Sequence, residues 1–587
     1  MKRLVIIPWL LALVIGATED AQAKPPSLTP AQIRTIADTY AKSQLDNGSA
    51  VGVEVGITLG SKPPLFFSYG LARYGVPPHA REKFTEDTLF QIGSVTKIFT
   101  TNLLGQLAAE ESSTLAEQLA QFAAQLGTLP ANVAAMTLEE LGDFTSGIQF
   151  STPPQCKTPA ERSMGCICVL DPQTNSCTPN DRPTIDQYDA QDLVALYQHL
   201  PVPPPPGPYF YSDISTGIIG LLLGGNPNRP LDNRALAGWS TLVESRITRP
   251  LGMKDTFLNP PNGQSGRGVA GGYDQALVTA QVSSGRITGF DPPSNGGSSY
   301  VQSMPPAVAI VGGGGRDATA HATLSCPGDL NECSVIGIEA DNPGSGYIAA
   351  PVVSFGSGNA TGEAIVADGK VVAILMQNRG CYPTPPTVTI SGGRRAKGRD
   401  AVAQAVLWHQ QIAFVKILDG GAGYVEPLAV LVAPGQPFLN NIPIWAPAGA
   451  LSSTARDMTT LAEAALGHRI VNGKPVARSI RDGFQIAETS YAQGSTLCQD
   501  AEIDGSGLAW AILPPDGDVG EIIVKNGGVG GFSTVVFLVP SIDLGIVVFI
   551  NSRTPPSVAA QGGQPTSIAT YTGFNMIFAI LDAMRAI

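Results

Sequence analysis

Gln91-Ile92-Gly93-Ser94-Val95-Thr96-Lys97 sets a serine and a lysine three positions apart. An apolar run follows in which Val95, Ile98, Phe99, Leu103 and Leu107 recur at helical spacing. Residues i and i+3 share a helix face, so Ser94 and Lys97 are predicted to project side by side into a cavity. A buried lysine loses its proton far below the pH at which an exposed one does, and the neutral amine can then take the serine proton. The Ser94 amide, at the start of that helix, has a free N–H for a developing oxyanion. These residue types supply nucleophile, base and oxyanion donor for acyl transfer. Alone the tetrapeptide is weak, because most such matches are surface helix turns. The apolar setting and two later segments, Tyr211-Ser212-Asp213 and Lys525-Asn526-Gly527, strengthen it.

The elements around these residues read as mixed α/β. Thr29-Pro30 is an N-cap followed by a first-turn proline, and Ile33, Ile36, Ala37 and Tyr40 give the helix its apolar stripe. Val51, Val53, Val55, Ile57 and Leu59 alternate as a half-buried strand, with Phe66-Phe67 in its hairpin partner. Helical sequence is expected to run from the Ser94 turn to about residue 127, with a short helix opened by Thr137 and another over Ala190 to His199. Pro203 to Pro208 force an extended approach to Tyr211. Thr454 caps a later helix, strands follow over 507–512, 521–524, 533–539 and 545–550, and a terminal helix covers 571–584.

Composition limits the function classes. The 587 residues carry a formal charge of −12, which argues against nucleic acid and gives no basic face for anionic lipid. Residues 1–23 read as a secretory signal: Lys2-Arg3, an apolar run from Leu4 to Gly16, then Ala21-Gln22-Ala23. No later apolar run reaches the length of a membrane span. A periplasmic or secreted protein is expected. Four of the eight cysteines (Cys156, Cys166, Cys168, Cys177) crowd a Pro- and Asn-rich loop at 151–185, and Cys326 and Cys333 lie seven apart. Disulfides fit export; a zinc site is the rival, but C-x-C without nearby histidines matches zinc spacing poorly. Connectivity stays open, with Cys381 and Cys498 left over if the others pair locally.

From 276 to 436 the texture changes. Gly-Ser-Gly-Tyr347, Arg-Gly-Cys-Tyr382 and Gly-Ala-Gly-Tyr424 recur, each followed by proline and a β-branched run, and Ser-Tyr300 with Pro305-Pro306 reads as an earlier copy. Each unit is read as a Gly/Tyr/Pro turn and three short strands, which indicates stacked β-repeats burying a shared core. A disordered Gly-rich linker is the alternative, and the alternating β-branched residues speak against it. The block interrupts one catalytic domain, 24–275 plus 437–587.

In this order, Ser94-Val-Thr-Lys97, Tyr211-Ser-Asp213 and Lys525-Asn-Gly527 resemble the S-x-x-K, Y-x-N and K-T-G motifs of the penicillin-recognising serine hydrolases. The flanks Phe144-Thr-Ser-Gly, Arg249-Pro-Leu-Gly-Met, Ala448-Gly-Ala-Leu-Ser-Ser-Thr-Ala-Arg-Asp-Met and Lys525-Asn-Gly-Gly-Val-Gly-Gly-Phe-Ser resemble the class C β-lactamase branch, shared with D-alanyl-D-alanine carboxypeptidases and family VIII esterases. The resemblance covers roughly residues 29–275 and 437–587. It implies a β-lactamase/transpeptidase-like fold: an antiparallel sheet with flanking helices and an all-helical half, here interrupted by the all-β repeats. It implies that Ser94 is acylated, Lys97 helps deprotonate it, Tyr211 shuttles the proton and Lys525 supplies positive charge. The N–H groups of Ser94 and Gly528 would form the oxyanion hole, while Asp213, Asn526, Gly527 and Asn551 would contact substrate. No metal or cofactor is implied. Read alone, Tyr211 is an ordinary core aromatic and Lys525 an edge-strand charge that discourages sheet pairing.

Two positions depart from the pattern. Asp213 stands for the asparagine, exchanging an amide donor for a carboxylate that can pair with Lys97 or Lys525. Asn526 stands for the usual hydroxyl residue. The implied substrate is a small molecule or peptide: a β-lactam, a D-Ala-D-Ala peptide or an ester. In this family the stretch from Tyr273 to Pro447 corresponds to a loop rimming the site, so the repeats and the Cys loop are expected to flank the pocket mouth, where they would narrow access, bind an extended polymer such as glycan or peptidoglycan, or tether the protein to a surface. The competing class is a surface-binding protein whose repeats carry the function.

Overall fold

The structure is a computed structural model. It describes residues 28–586, apart from 75–81, 155, 157–158, 168, 171–176, 179–187, 259–268, 275, 294–297, 327–332, 357–358, 409–410, 435–442, 494–504, 514, 516–519 and 553–567. The expected signal segment, Cys168 and Cys498 therefore lie outside the described residues.

A nine-stranded antiparallel sheet organises the molecule. In chain order its strands are β1 (Gly52–Leu59), β2 (Leu65–Arg73), β3 (Glu82–Lys83), β4 (Ala492–Gln493), β5 (Gly505–Ser506), β6 (Ala511–Leu513), β7 (Ile522–Val529), β8 (Phe532–Val539) and β9 (Leu544–Ile550). They lie in the order β4-β5-β6-β7-β8-β9-β1-β2-β3. The first hairpin thus joins the last strand, with Val55 opposite Val548. Every residue of β1 is buried, so it is covered on both faces and is not the half-buried strand that alternation suggests.

The alternation sorts side chains into two cores. Val53, Val55, Ile57, Val535, Phe537, Val548 and Ile550 pack with helices α1 (Pro30–Asp46) and the C-terminal Ile568–Arg585. Val536, Leu538, Val547 and Phe549 face the other way, onto α2 (Lys97–Glu110), α3 (Asp213–Gly224) and α4 (Ala455–Ala465), the C-terminal helix being α5. α4 comes so close to β1 that a Cβ on Gly56 would sit 2.3 Å from Thr459 Oγ1. Thr29 caps α1 with a capping box, and Thr454 caps α4.

The helix expected to reach residue 127 stops at Glu110. Ser112-Ser113 follow, and short hydroxyl side chains compete for backbone bonds there; the chain continues as 3₁₀ turns at 114–116 and 119–122. The strand expected over 507–512 is confined to 511–513, with β5 just before it. Disulfides join Cys156 to Cys166 and Cys326 to Cys333, and Cys381 is also disulfide-bonded.

Between 276 and 434 the described residues form small antiparallel ladders. Three hairpins run 316–345, 361–378 and 402–419, and each ends in the same turn. Asn342 Oδ1 accepts from Gly344 N–H (3.0 Å), Asn378 Oδ1 from Gly380 (2.9 Å) and Asp419 Oδ1 from Gly421 (2.9 Å). All three glycines have positive φ, which suits a residue without Cβ. The tyrosine that follows is buried, and the Tyr382 and Tyr424 hydroxyls reach back to the N–H groups of Ala360 and Ala401, as Tyr300 reaches Ala276. The second and third hairpins share a core of Ala364, Ile374, Tyr382, Ala405, Ile412 and Tyr424, while the first packs Ala322, Val335 and Ile338 with Ala276, Tyr300 and Val432.

The 361–378 and 402–419 hairpins do not rim the site. Ala373, Leu375 and Ala413 join the core of α1 and α5, on the sheet face away from α2. Asn575 on α5 bonds the backbone of Met376 in both directions, at 3.1 Å each. The buried Arg379 guanidinium lies over Phe574 and Phe578 and donates to the carbonyls of Ile412 and Ala413. Apolar positions on the 361–378 and 402–419 hairpins pack with α1 and α5, and that contact sets where these hairpins rest.

Candidate active site

Ser94 sits on a 3₁₀ turn, Gly93–Thr96, and Lys97 opens α2. In a 3₁₀ turn residues three apart eclipse, so the two side chains meet as the spacing suggests. Lys97 Nζ is fully buried, 3.2 Å from Ser94 Oγ. It donates to the Ala448 carbonyl (2.7 Å) and to Asp213 Oδ1. Burial pushes the Lys97 amine below the ordinary lysine range, and the Asp213 carboxylate pulls it part of the way back.

The turn is held from two sides. The Ile92 N–H donates to the Leu451 carbonyl (3.0 Å), Thr96 Oγ1 accepts from the Leu451 N–H (3.0 Å), and Thr100 Oγ1 donates to Pro447 (2.7 Å). On the other side β7 runs alongside. A Cβ on Gly527 would lie 2.2 Å from the Ile92 carbonyl oxygen, and one on Gly93 would lie 2.9 Å from the Gly528 nitrogen. Glycine at both positions is what lets the strand touch the serine turn. Thr534 Oγ1 on β8 locks the contact, 2.7 Å from the Ile92 carbonyl and 3.2 Å from that of Gly527.

Pairing of β6 with β7 ends at Val524, so from Lys525 onward β7 pairs only with β8 among the described residues. Gly528 is exposed on that open edge, beside the Ser94 turn. Lys525 and Gly527 share the face of Ile523, which packs towards α2. The Lys525 amine lies 4.8 Å from the centre of the Tyr211 ring and the Lys97 amine 4.7 Å from it, so the ring contacts both amines.

Tyr211 precedes α3, whose N-cap is Ser212. Its ring tilts against Phe144 at 4.9 Å. Phe144 has φ +66°, a strained conformation for a side-chain-bearing residue, and its carbonyl accepts from Phe210 N–H at 2.9 Å. The Asp143 carboxyl accepts from the Thr145 N–H and hydroxyl at 3.0 and 2.7 Å; burial pushes its pKa up to about 6. The Tyr211 hydroxyl is buried without a well-formed hydrogen bond among the described residues. Burial holds this phenol well above its ordinary value, Asp213 adds to the rise, and the nearby Ser94 hydroxyl opposes it.

Ser94, Lys97, Tyr211, Asp213 and Lys525 therefore converge, with Asn526, Gly527 and Gly528 beside them. Asn551 does not join them: its buried amide donates to the carbonyls of Leu71 (2.9 Å) and Ala72 (3.0 Å), tying β9 to β2. The sequence reading missed Ser151, whose hydroxyl donates to Asp213 Oδ2 at 3.0 Å, and the Ala448 carbonyl. The preserved Ala448-Gly-Ala-Leu flank was the available signal for the second; a lone serine in an irregular loop gives none. Among the described residues no group of three or more His, Cys, Asp and Glu side chains is placed to hold a metal.

A buried lysine beside a serine, at a glycine-lined β-edge under a helical layer, defines the serine-hydrolase architecture of the class C β-lactamases. The Beta-lactamase family model matches residues 37–380 and 382–566, and the chain belongs to that family. It is 26% identical over 263 residues to a beta-lactamase of Pseudomonas fluorescens, covering 43% of this chain and 59% of that protein. It is 24% identical over 269 residues to the D-alanyl-D-alanine-carboxypeptidase/endopeptidase AmpH of Escherichia coli K12, covering 46% and 60%. The matched stretches thus span about 60% of those curated relatives. Among solved structures, a class C beta-lactamase superposes with TM-score 0.50 at 14% identity, covering 94% of this chain and 96% of that one. The beta-lactamase of Sulfitobacter sp. EE-36 superposes with TM-score 0.50 at 16% identity, covering 95% and 99%. At these identities the likeness establishes the fold.

Proposed function

We propose that this protein is a serine hydrolase that cleaves an amide, β-lactam or ester through an acyl-enzyme on Ser94. The observation that carries the reading is the fully buried Lys97 amine, 3.2 Å from the Ser94 hydroxyl. Ser94 Oγ attacks the substrate carbonyl while Lys97 takes its proton. Negative charge gathers on the carbonyl oxygen between the Ser94 and Gly528 N–H groups. The C–N or C–O bond then breaks, and Tyr211, held between Lys97 and Lys525, passes a proton to the leaving group. Water cleaves the resulting ester by the same route in reverse.

The substrate is a small molecule or peptide, and the open edge from Lys525 to Val529 can take an extended chain alongside β7. The cysteine bridges support an exported protein, and among the described residues no helix is long and apolar enough to cross a membrane. A glycan partner for the repeats is carried by no observation, and the surface-binding alternative is not favoured. A fluorescent penicillin and a fluorophosphonate should label the wild type and leave Ser94→Ala unlabelled; a wild type that neither probe labels overturns the proposal. Turnover of a chromogenic cephalosporin, p-nitrophenyl acetate and a D-Ala-D-Ala peptide then ranks the substrate classes.

A further inference from the structure

Both oxygens of the Asp213 carboxylate accept a hydrogen bond from a side chain of the protein. Oδ1 accepts from Lys97 Nζ, and Oδ2 accepts from the Ser151 hydroxyl at 3.0 Å. The Ser151 carbonyl in turn accepts from the Ile214 N–H at 3.1 Å, so the loop is clipped to the first turn of α3 at two points. Lys97 completes the line with its bond to Ser94 Oγ at 3.2 Å. A chain of side-chain bonds thus runs from the Cys-rich loop through Asp213 and Lys97 to Ser94. We infer that Ser151 is a positioning residue that acts through Asp213 on Lys97, and that Asp213 supports the base instead of contacting the acyl donor. This rests on the reading of Ser94 as nucleophile.

The physical argument starts at Oδ2. A hydroxyl donating to a carboxylate forms a charge-assisted bond, which fixes the carboxylate plane and draws negative charge away from the other oxygen. Removing it leaves Oδ1 more basic and free to swing, so Lys97 holds its proton more tightly and is less well aimed. The other ionisable groups facing Lys97 are Tyr211, whose ring is 4.7 Å away, and Lys525 across that ring. Ser151 makes its side-chain bond to Asp213, so the influence of Tyr211 and Lys525 on Lys97 stays in place when that hydroxyl is removed.

Ser151→Ala should lower kcat about tenfold, the loss of one hydrogen bond to a charged group, with KM unchanged. The acidic limb of its kcat/KM profile should move to higher pH, and Ser151→Thr, which keeps the hydroxyl, should restore both. In an Asp213→Asn background the same change should leave the limb where it is, because the carboxylate it acts through is gone. A raised KM with unchanged kcat, or an unmoved limb in Ser151→Ala, overturns the inference. Should the alanine variant fail to fold, Ser151→Cys, a weak donor of similar size, gives the same reading. Fluorophosphonate labelling separates the two claims. An unlabelled wild type removes the hydrolase reading itself, whereas a labelled wild type with an unmoved Ser151→Ala profile removes only this one.

Discussion

Asp213→Asn removes the one carboxylate that bonds Lys97 among the described residues. Burial, the dominant influence on that amine, would then act unopposed, and Lys97 would release its proton at lower pH. The acidic limb of kcat/KM for p-nitrophenyl acetate should move down relative to wild type; a limb that moves up would mean the pair does not govern the base. Tyr211→Phe keeps the ring against the two amines and deletes the hydroxyl proposed to carry the proton, so kcat should fall by about 10²–10⁴ while the protein keeps its melting temperature. At this scale the sequence was most informative where motif and chemistry coincide: Ser94, Lys97, Tyr211 and Lys525 carry types and order that few other functions need. It was silent where a contact depends on one atom from a distant loop. Ser151 lies 62 positions from Asp213, with no spacing to mark it. Asn551 illustrates the opposite case, a matching residue whose amide is used up by the backbone of Leu71 and Ala72.

The strand β7 reaches the serine turn only because it has no side chain at the contact. Gly527→Ala would drive a Cβ to 2.2 Å from a backbone oxygen, so β7 must move off the turn and labelling of Ser94 should fall severely, more than for a similar change at the open position Gly528. β1 carries a different tension. Glu54 is buried in mid-strand with neither carboxylate oxygen well bonded, and burial pushes its pKa from 4.5 up to about 8. The folded protein therefore keeps a proton that the unfolded chain gives up, and stability should fall as pH rises from about 4.5 to about 8. Glu54→Gln should flatten that slope, giving a higher urea midpoint than wild type at about pH 8.5 and little difference at about pH 4; an equal slope in both would discount Glu54. Alternation and capping made the elements legible, β1, α4 and the terminal strands among them. Alternation misled where tertiary context decides, as in β1, whose second face is covered by a helix far along the chain, whereas the end of α2 at Glu110 follows from the local Ser112-Ser113 pair.

For the whole molecule, the 361–378 and 402–419 hairpins rest on the back of the sheet, and removal of the block should separate stability from chemistry. Replacing 276–436 with a short Gly/Ser linker should preserve labelling of Ser94 while lowering the melting temperature, since Phe574, Phe578 and Asn575 lose their cover. Asn575→Ala is the point-mutant version: it strands the backbone groups of Met376 and should cost about 1–3 kcal/mol by denaturant unfolding, with labelling intact. The repeat period was legible from Gly and Tyr, but where the block rests was not, because that depends on which helix face its apolar positions happen to fit. The Asx–Gly–Tyr turn has one more consequence. Each hairpin ends on its own asparagine or aspartate, its own glycine and its own buried ring, and neighbours are then stitched together by backbone bonds such as Tyr424 N–H to the Gly369 carbonyl at 3.0 Å and Val371 N–H to that of Gly420 at 2.9 Å. A hairpin here is thus held both by its own turn and by its neighbour, as a rung is held by both rails. The hairpins bearing Ala373, Met376 and Ala413 are the footing on the helices, while the 316–345 hairpin anchors a second core with Ala276, Tyr300 and Val432.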